Sequence, residues 1–471
     1  MNSTTSHGVL GKAGSLAAAH GFREVLQAVF LIVLARRQMI TYGQFMLALG
    51  IGQILLMFAE FGLNKHTICR LARRPEAESG LVWQVTVVKS LLLALGGAAT
   101  FVFVLLQAYD LSLGAVILLL AAGIGLEALT STFYALCQWR GQQRKEATIR
   151  SLAAAAGFGY GLVALWAGLP PAALALYKLI ESLAALTGAA LSVGANRSSR
   201  PRWPGAAALG ATLRDGLIFA LIELAAILYN KANLFFLQRA AGSGGVAQYS
   251  ATWQIVDGAT NLVCGLLLGR TLFPLFARLL TTDFVAAKDL ARGAARWLLP
   301  VAACLMYGLI IESDRLIPLV YGGAYNEAVW MQKWLAISIA IGLYHNLAAY
   351  LMLSLGRQVP LLGFCAAGLV LNLALCVLWI PGQPFGGSVA ALLLTKGAVA
   401  LCTVGYCQKR LGLFRGRPLA ETCAAALAGG LLYFAVSPLG NRLAAELAAL
   451  LPMLVVIIYW KRASQIKQVV A

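Results

Sequence analysis

Seven basic side chains lie inside apolar stretches long enough to cross a membrane, in a chain that is 60% hydrophobic with a mean hydropathy of +0.79. They are Arg23, Lys89, Lys178, Lys231, Arg270, Lys333 and Lys396. A cation at bilayer depth costs at least about 2.5–3.5 kcal/mol unless it faces a bundle interior or a wet cavity. The set therefore predicts a water-filled path lined by positive charge, and the cargo that matches such a path is an anion.

Carboxylates occur in the same stretches, and they can neutralise the cations or exchange protons in a partly dry cleft. The candidates for an ion-coupling site are Glu24, Glu223 and Asp257, followed by Glu60 and Glu127. The alternative is plain ion pairing: Lys178 can pair with Glu181 three residues on, and Arg23 can be locked to a neighbouring helix. Lys333, near a helix end, can extend its amine toward water. His345 can relay protons or form a hydrogen bond in the core.

The elements that must position these groups are membrane-spanning helices. A crossing needs about 20 apolar residues, and about fourteen such runs fit between residues 14 and 460, three of them near 215–237, 246–273 and 329–353. The basic loop residues fall mainly on one side of this topology, which predicts that both termini are cytoplasmic. The net charge of +19 is thereby explained without nucleic acid. The nine cysteines show no metal-ligand spacing, so we expect them to pack as small apolar residues.

A faint repeat at roughly 205 residues predicts an internally duplicated transporter. Tyr42-Gly43 and Leu71-Ala72-Arg73 in the first half correspond in order to Gln248-Tyr249 and Phe276-Ala277-Arg278 in the second. We expect an all-α integral membrane protein with two pseudo-symmetric six-helix bundles around a central cleft and two further C-terminal helices. The predicted divisions are an N-terminal lobe over 1–194, a cytoplasmic linker over 195–214, a C-terminal lobe over 215–408, and the extra helices with a cytoplasmic tail over 409–471.

Ordered short motifs make nearly the whole chain resemble one family. They are Tyr42-Gly43-x-Phe45, Phe61-Gly62-Leu63, Leu71-Ala72-Arg73, Gln248-Tyr249, Pro274, Phe276-Ala277-Arg278, Leu319-Val320-Tyr321-Gly322, Tyr325, Asn372, Ile380-Pro381 and Gly386-Gly387-x-x-Ala390-Ala391. Together they are similar to the polysaccharide flippases of the Wzx type, within the multidrug/oligosaccharidyl-lipid/polysaccharide (MOP) exporter superfamily. The resemblance implies a flippase that moves undecaprenyl-diphosphate-linked oligosaccharides to the outer leaflet of the bacterial inner membrane by alternating access. It also implies coupling to H⁺ or Na⁺ and no other cofactor.

The resemblance also implies which helices line the cleft, namely the first, second, seventh and eighth. It thus favours Arg23, Lys231 and Arg270 as contacts for the diphosphate. Sugar hydroxyls are expected at Asn230, Asn233 and Asn261. Lys89, Lys178, Lys333 and Lys396 rank second, and Lys396 stands where an acidic or small residue is expected in the family. The expected partners are the lipid-linked oligosaccharide, membrane lipids and the polymerase and chain-length machinery of the same pathway.

The same sequence also bears on other functions. A membrane glycosyltransferase or polymerase usually carries an acidic or histidine-rich site in a large outer loop, whereas the longest outer connection here, 312–327, holds only Glu312 and Asp314 as clustered acids. No phosphate-cradling glycine loop or nucleophile motif is present. We therefore expect a secondary transporter rather than an enzyme. A lipid II flippase and a cation-coupled multidrug exporter of the same superfamily remain the nearest alternatives.

Overall fold

The computed structural model describes residues 3–63, 78–194, 205–414 and 416–470, and within these ranges the regular elements are helices without a strand. The first compact unit is Met1–Ala247. Its helices are α1 (Ser3–Arg37), α2 (Met39–Glu60), α3 (Glu78–Leu106), α4 (Leu111–Trp139), α5 (Gln143–Trp166), α6 (Pro171–Gly194) and the first part of α7 (Ala206–Val263).

The second compact unit is Gln248–Ala471. It contains the end of α7 and a π-helical stretch, Cys264–Leu272. The helices that follow are α8 (Phe273–Thr282), α9 (Phe284–Ile311), α10 (Ser313–Tyr321), α11 (Asn326–Leu335), α12 (Ile337–Ser354), α13 (Gln358–Trp379), α14 (Pro384–Leu411), α15 (Gly416–Val436) and α16 (Arg442–Val470). The predicted lobe boundaries stay a prediction, because linker residues 195–204 and the Leu71-Ala72-Arg73 motif lie outside the described residues.

The helices confirm the predicted all-α membrane fold. Within the described ranges, 13 helical segments are long and apolar enough to span a membrane. One of them, Gly216–Leu280, has 65 residues, about 98 Å of helix at 1.5 Å per residue, against a hydrocarbon core of about 30 Å. Gly242 interrupts it with φ 64° and ψ −170°, a conformation that glycine adopts without a Cβ clash. This segment therefore has the length for both crossings predicted over 215–237 and 246–273.

The tenth predicted span was wrong at its start. The chain forms a short helix, α11, and the candidate span begins only at Ile337. In α11 the residues Ala328, Met331 and Leu335 share one buried face, while Lys333 is exposed on the other. Average hydropathy concealed this two-faced pattern, because the apolar face of α11 adjoins the apolar run of α12. Lys333 thus lies on an exposed helix face outside the candidate span, and its contact with substrate stays a prediction.

Helix α6 packs closely against α4 and α5 because glycines remove side chains at the crossing points. A Cβ built on Gly123 of α4 would lie 3.0 Å from the backbone of Lys178 and Leu179. A Cβ on Gly157 of α5 would lie 2.8 Å from the carbonyl oxygen of Tyr177 and from Glu181 Cβ. Such contacts force neighbouring atoms to move, so these positions require the smallest residue. The glycines thus hold the charged turn of α6 between α4 and α5.

The motif residues behind the family resemblance turn out to be packing residues. Tyr42 and Phe45 are fully buried, and Gly43 lies where any Cβ would overlap the backbone of Ser243. Phe61 and Gly62 both have positive φ, 48° and 66°, and they end α2 in a left-handed turn. These first-unit motif residues therefore contribute to a helix contact and a turn.

A polar network joins α9, α10 and α16 in the second unit. Arg442 holds Asp314 with both terminal nitrogens, each 2.6 Å from a carboxylate oxygen, and its Nε donates to Glu446 at 3.0 Å. The hydrogen bonds from Arg442 lower the pKa of Asp314 below its ordinary value, because the donors favour the ionised carboxylate. The network fixes the short helix α10 to the start of α16.

Candidate functional site in the first unit

Four charged side chains from three helices of the first unit form a closed set of ion pairs. Arg23 of α1 lies 2.5 Å from Glu127 of α4 and 2.7 Å from Glu181 of α6. Lys178 of α6 lies 2.7 Å from Glu127 and 2.9 Å from Glu181. Each cation therefore contacts both carboxylates, and we call these four residues the charge ring.

The charge ring is largely buried. The exposed fraction of the side chain is 2% for Lys178, 11% for Glu181, 14% for Arg23 and 23% for Glu127. Two positive and two negative groups cancel, so the attraction within the ring offsets the cost of removing each charge from water. The sequence had suggested that Arg23 and Lys178 line a positively charged path. In this conformation both cations instead form ion pairs with Glu127 and Glu181, which is the alternative considered above.

An aromatic cluster borders the charge ring. Phe30 of α1, Phe45 of α2 and Tyr177 of α6 are buried, with the Phe30 and Tyr177 ring centroids 4.4 Å apart. Tyr177 stacks on Phe45 at 6.1 Å. Tyr177 directly precedes Lys178 in α6, so the aromatic rings form an apolar floor next to the charges. Such a floor lowers the local polarity and strengthens every electrostatic contact in the ring.

A cavity of about 220 Å³ opens on the charge ring. Arg23, Glu127 and Glu181 form part of its wall, and the other polar lining groups are His20, Glu60, Thr130, Ser131, Tyr134, Arg150 and Ser182. The hydroxyls of Tyr134 and Ser182 are buried and have no hydrogen-bond partner among the described residues. These hydroxyls can therefore receive a polar ligand.

Arg150 and Glu146 form a second ion pair beside this cavity, which sequence reasoning missed. Arg150 Nη2 lies 3.0 Å from Glu146 Oε1, and Gln138 Nε2 donates to the same oxygen at 3.2 Å. The Arg150 guanidinium also lies over the Tyr134 ring, 4.5 Å from its centroid. The signal in the sequence was the i, i+4 spacing of Glu146 and Arg150 at the start of a helix, which favours pairing.

Lys89 lies behind the cavity wall rather than in the cavity. It is fully buried on α3, and its Nζ donates to the Ala128 carbonyl at 2.8 Å and to Ser131 Oγ at 3.0 Å. Glu60 supplies the attracting negative charge. Lys89 thus connects α3 to α4. Glu60 and Ser131, which both interact with Lys89, line the cavity.

An apolar cavity of about 380 Å³ lies on the other side of α2. Its lining includes Ile51, Ile54 and Phe58 of α2, Phe103 of α3 and Phe235 of α7. On a helix with about 100° per residue, these α2 positions face away from Leu56 and Glu60, which line the charged cavity. The first unit therefore presents a charged cavity and an apolar cavity on opposite faces of one helix.

Lys231 lies on the α7 face that lines the apolar cavity. Leu224, Leu228 and Phe235 line that cavity, and Lys231 lies between Leu228 and Phe235, three residues after the one and four before the other, on the same helix face. A Cβ on Gly50 would lie 3.9 Å from Lys231 Cδ, so the lysine stem runs along α2. Two predicted sugar contacts lie on the same helix. Asn230 donates to the Ala226 carbonyl of its own helix at 2.8 Å, and Asn233 is fully buried. Glu223 is partly buried on the same helix.

The second unit contains a separate polar group. Lys396 Nζ lies 4.2 Å from the centroid of the Trp253 ring, and Asn261 donates to Asp257 at 3.0 Å. His345 shares a hydrogen bond with Thr403 Oγ1 at 3.2 Å, as expected for a core histidine, and the neighbouring Asn346 donates to Cys264 Sγ at 3.3 Å. Lys396 and Asp257 thus stay candidates for substrate contact and ion coupling.

Three predicted residues do not join either group. Glu24 is exposed on α1, next to Arg23 but outside the charge ring. Lys333 is exposed on α11, as described above. The backbone of Arg270 belongs to the π-helical stretch, and its side chain lies outside the described part of the chain. Within the described residues, no group of three or more His, Cys, Asp or Glu side chains could hold a metal ion.

Comparison with known proteins gives a family and a fold. A family profile described as "Polysaccharide biosynthesis protein" matches residues 9–280, more than half of the chain. No curated protein matches the sequence. Among solved structures, the lipid II flippase MurJ in an inward closed conformation superposes with a TM-score of 0.67 at 12% identity, covering 95% of this chain and 99% of MurJ.

Multidrug transporters have the same fold. An inward-facing multidrug resistance MATE transporter of the MOP superfamily gives a TM-score of 0.61 at 16% identity, covering 83% of this chain and 94% of the other. The Vibrio cholerae MATE transporter VcmN in its bent form gives 0.55 at 16% identity, covering 87% and 100%. At these identities the likeness shows the fold alone. It agrees with the MOP resemblance found in the sequence.

Proposed function

Because the chain belongs to the polysaccharide biosynthesis protein family, we propose that it is a flippase for an undecaprenyl-diphosphate-linked oligosaccharide. It moves the oligosaccharide head from the cytoplasmic to the periplasmic leaflet of the bacterial inner membrane by alternating access. The protein is a multi-pass membrane protein by its helices, and both termini are cytoplasmic in this proposal.

One observation carries the proposal: the charged cavity and the apolar cavity lie on opposite faces of α2 in the same unit. A lipid-linked sugar has the same division, with an anionic diphosphate and sugar hydroxyls at one end and a long apolar chain at the other. Arg150 offers donors for phosphate oxygens, Arg23 can do so once its carboxylates release it, and the buried hydroxyls of Tyr134 and Ser182 suit a polar head. Lys231, on the α7 face that lines the apolar cavity, supplies a cation beside that cavity.

The neutral charge ring also supplies a reason for ion coupling. Glu127 and Glu181 occupy Arg23 and Lys178 in this conformation, so an anion must compete with two carboxylates. When a carboxylate binds the coupling ion, H⁺ or Na⁺, it releases part of its hold on Arg23. Arg23 then becomes available to the diphosphate, and the substrate and the coupling ion favour each other's binding.

Leaflet translocation in proteoliposomes tests this function. A fluorescent undecaprenyl-diphosphate oligosaccharide is reconstituted with the parent, Arg23→Gln, Lys231→Ala and Arg239→Gln, an exposed arginine of α7 that serves as the matched control. We expect the first two variants to lose at least about tenfold in rate, because each removes a charge-assisted contact, and the control to match the parent.

Two further substrates decide between the alternatives. Faster transport of lipid II than of the oligosaccharide would assign the protein to the lipid II reaction, which uses the same diphosphate chemistry. Transport of a cationic fluorescent dye, without transport of either lipid, would assign it to multidrug export. No flipping of any lipid by the folded parent, with or without H⁺ or Na⁺ gradients, would refute the flippase proposal.

A further inference from the structure

A second charged cavity lies in the second unit, where several helices end. It has a volume of about 220 Å³. Arg292, Gly293 and Arg296 of α9 form one wall, and Leu413, Phe414 and Pro418, from the junction between α14 and α15, form the other. Arg292 and Arg296 are one helical turn apart, so both guanidinium groups face the same side of α9.

Arg292 is held in place by its neighbours. Its Nε donates to the Gly412 carbonyl at 3.0 Å, and Nη1 contacts Asp289 Oδ1 at 3.3 Å. The Asp289 side chain is 64% exposed, so this ion pair is solvated and weak. Asp289 also lines the cavity, and its solvated carboxylate offsets only part of the positive charge of Arg292 there.

Arg296 is fixed by an aromatic ring rather than by a carboxylate in direct contact. Its guanidinium lies over Trp460, 4.3 Å from the ring centroid, and Trp460 is fully buried. Its Nε is buried and has no hydrogen-bond partner among the described residues. Glu421, the nearby acid, already accepts from Trp460 Nε1 at 2.7 Å and from Arg417 Nε at 2.8 Å. Arg296 thus has a pre-oriented donor available for an anion.

The cavity lies where three candidate spans begin or end. The candidate span of α14 ends at Leu411, that of α15 begins at Gly416 and that of α16 ends at Arg462. Trp297 and Tyr459 are 40% and 50% exposed close by, and such aromatic residues are typical of the headgroup level. Further exposed basic residues surround this end of the helices, namely Lys409, Arg410, Arg417, Lys461 and Arg462. An anion here meets strong positive charge on one side and apolar lipid on the other.

We propose that this cavity binds the phosphate of an anionic phospholipid headgroup. Two arginines can hold phosphate oxygens in fork geometry, and the apolar wall of Leu299, Leu413 and Phe414 suits the glycerol backbone and the start of the acyl chains. Basic pockets between membrane helices are known sites for anionic headgroups. The proposal does not depend on what the first unit transports.

Direct binding to the full-length protein in detergent tests the site. Microscale thermophoresis is run with dioctanoyl phosphatidylglycerol, dioctanoyl phosphatidylcholine, inorganic phosphate and undecaprenyl phosphate. The variants are Arg292→Gln, Arg296→Gln and Arg296→Lys, and Arg357→Gln is the matched control, an exposed arginine that does not line the cavity. Arg296→Lys keeps the charge over Trp460 if the glutamine variant does not fold.

We expect saturable binding of phosphatidylglycerol that weakens about tenfold or more in both glutamine variants and less in Arg296→Lys. Arg357→Gln should bind within about twofold of the parent. Equal binding by the parent and all variants, or equal binding of phosphatidylcholine, would overturn the proposal. Undecaprenyl phosphate binding more tightly than phosphatidylglycerol would also overturn it, because the site would then belong to the substrate. Binding of inorganic phosphate alone, without preference for the lipid, would contradict a headgroup site.

Discussion

Replacing Glu127 with glutamine should destabilise the first unit measurably. The substitution keeps the size of the side chain but removes a carboxylate that lies 2.5 Å from Arg23 and 2.7 Å from Lys178. Both cations then share Glu181 alone. Breaking a fully buried pair costs about 3–5 kcal/mol. Because Glu127 is 23% exposed and both cations keep one partner, we expect a loss of about 2–3 kcal/mol in the free energy of unfolding.

Unfolding by sodium dodecyl sulfate in mixed micelles measures this loss. Glu24→Gln is the matched control, since Glu24 is an exposed neighbour of Arg23, and its effect should stay within about 0.5 kcal/mol. A double-mutant cycle of Glu127→Gln with Lys178→Met should give a coupling energy of about 1–3 kcal/mol. A Glu127 variant as stable as the Glu24 variant, with no coupling to Lys178, would refute the charge ring as a source of stability.

Three further predictions concern packing, pH and the second unit. Gly43→Ala should lower the free energy of unfolding by about 1–3 kcal/mol, because the new Cβ meets the backbone of Ser243. Gly97→Ala places its Cβ in open space and should be neutral or slightly stabilising. Thermal unfolding of both variants checks this. The Asp314 carboxylate, whose pKa is lowered by Arg442, should contribute stability above its unfolded pKa of about 3.9. That contribution is lost as the pH falls from about 4 through the lower folded pKa, so Asp314→Asn should flatten the fall of the unfolding temperature between pH 5 and pH 3; an unchanged slope would contradict the assignment. Lys396→Met should shift the fluorescence of Trp253 and cost about 0.5–2 kcal/mol, because it removes the cation above the ring; an identical emission spectrum would argue against that contact.

The helices could be predicted from the sequence because hydropathy depends only on local composition. The same averaging failed at α11, where a helix with one buried and one exposed face adjoins an apolar span. The 65-residue segment Gly216–Leu280 reads as two spans in the sequence, and in the structure one glycine, Gly242, interrupts its helical conformation.

Ion pairing could be predicted where the partners are close in sequence. The Lys178–Glu181 pair follows from a spacing of three residues, and Lys178 was weighed as paired for that reason. The contacts of Arg23 with Glu127 and Glu181 span 104 and 158 residues. They depend on which helix faces meet, and Gly123 and Gly157 bear only on how α6 meets α4 and α5. The pattern of a single sequence does not show which distant charges pair in the fold, so the charge ring could not be distinguished from unpaired cations.

The neutrality of the charge ring has an electrical consequence for the membrane in which the protein works. One elementary charge moved across the membrane potential exchanges about 2.3 kcal/mol per 100 mV with the field. Two cations and two carboxylates that move together carry no net charge, so they exchange almost no energy with the field. A rearrangement of the charge ring without cargo therefore does not depend on the membrane potential. Only a group that breaks this balance, a bound anion or a captured cation, couples the motion to the potential. The voltage dependence of the loaded protein therefore reports the charge of its cargo.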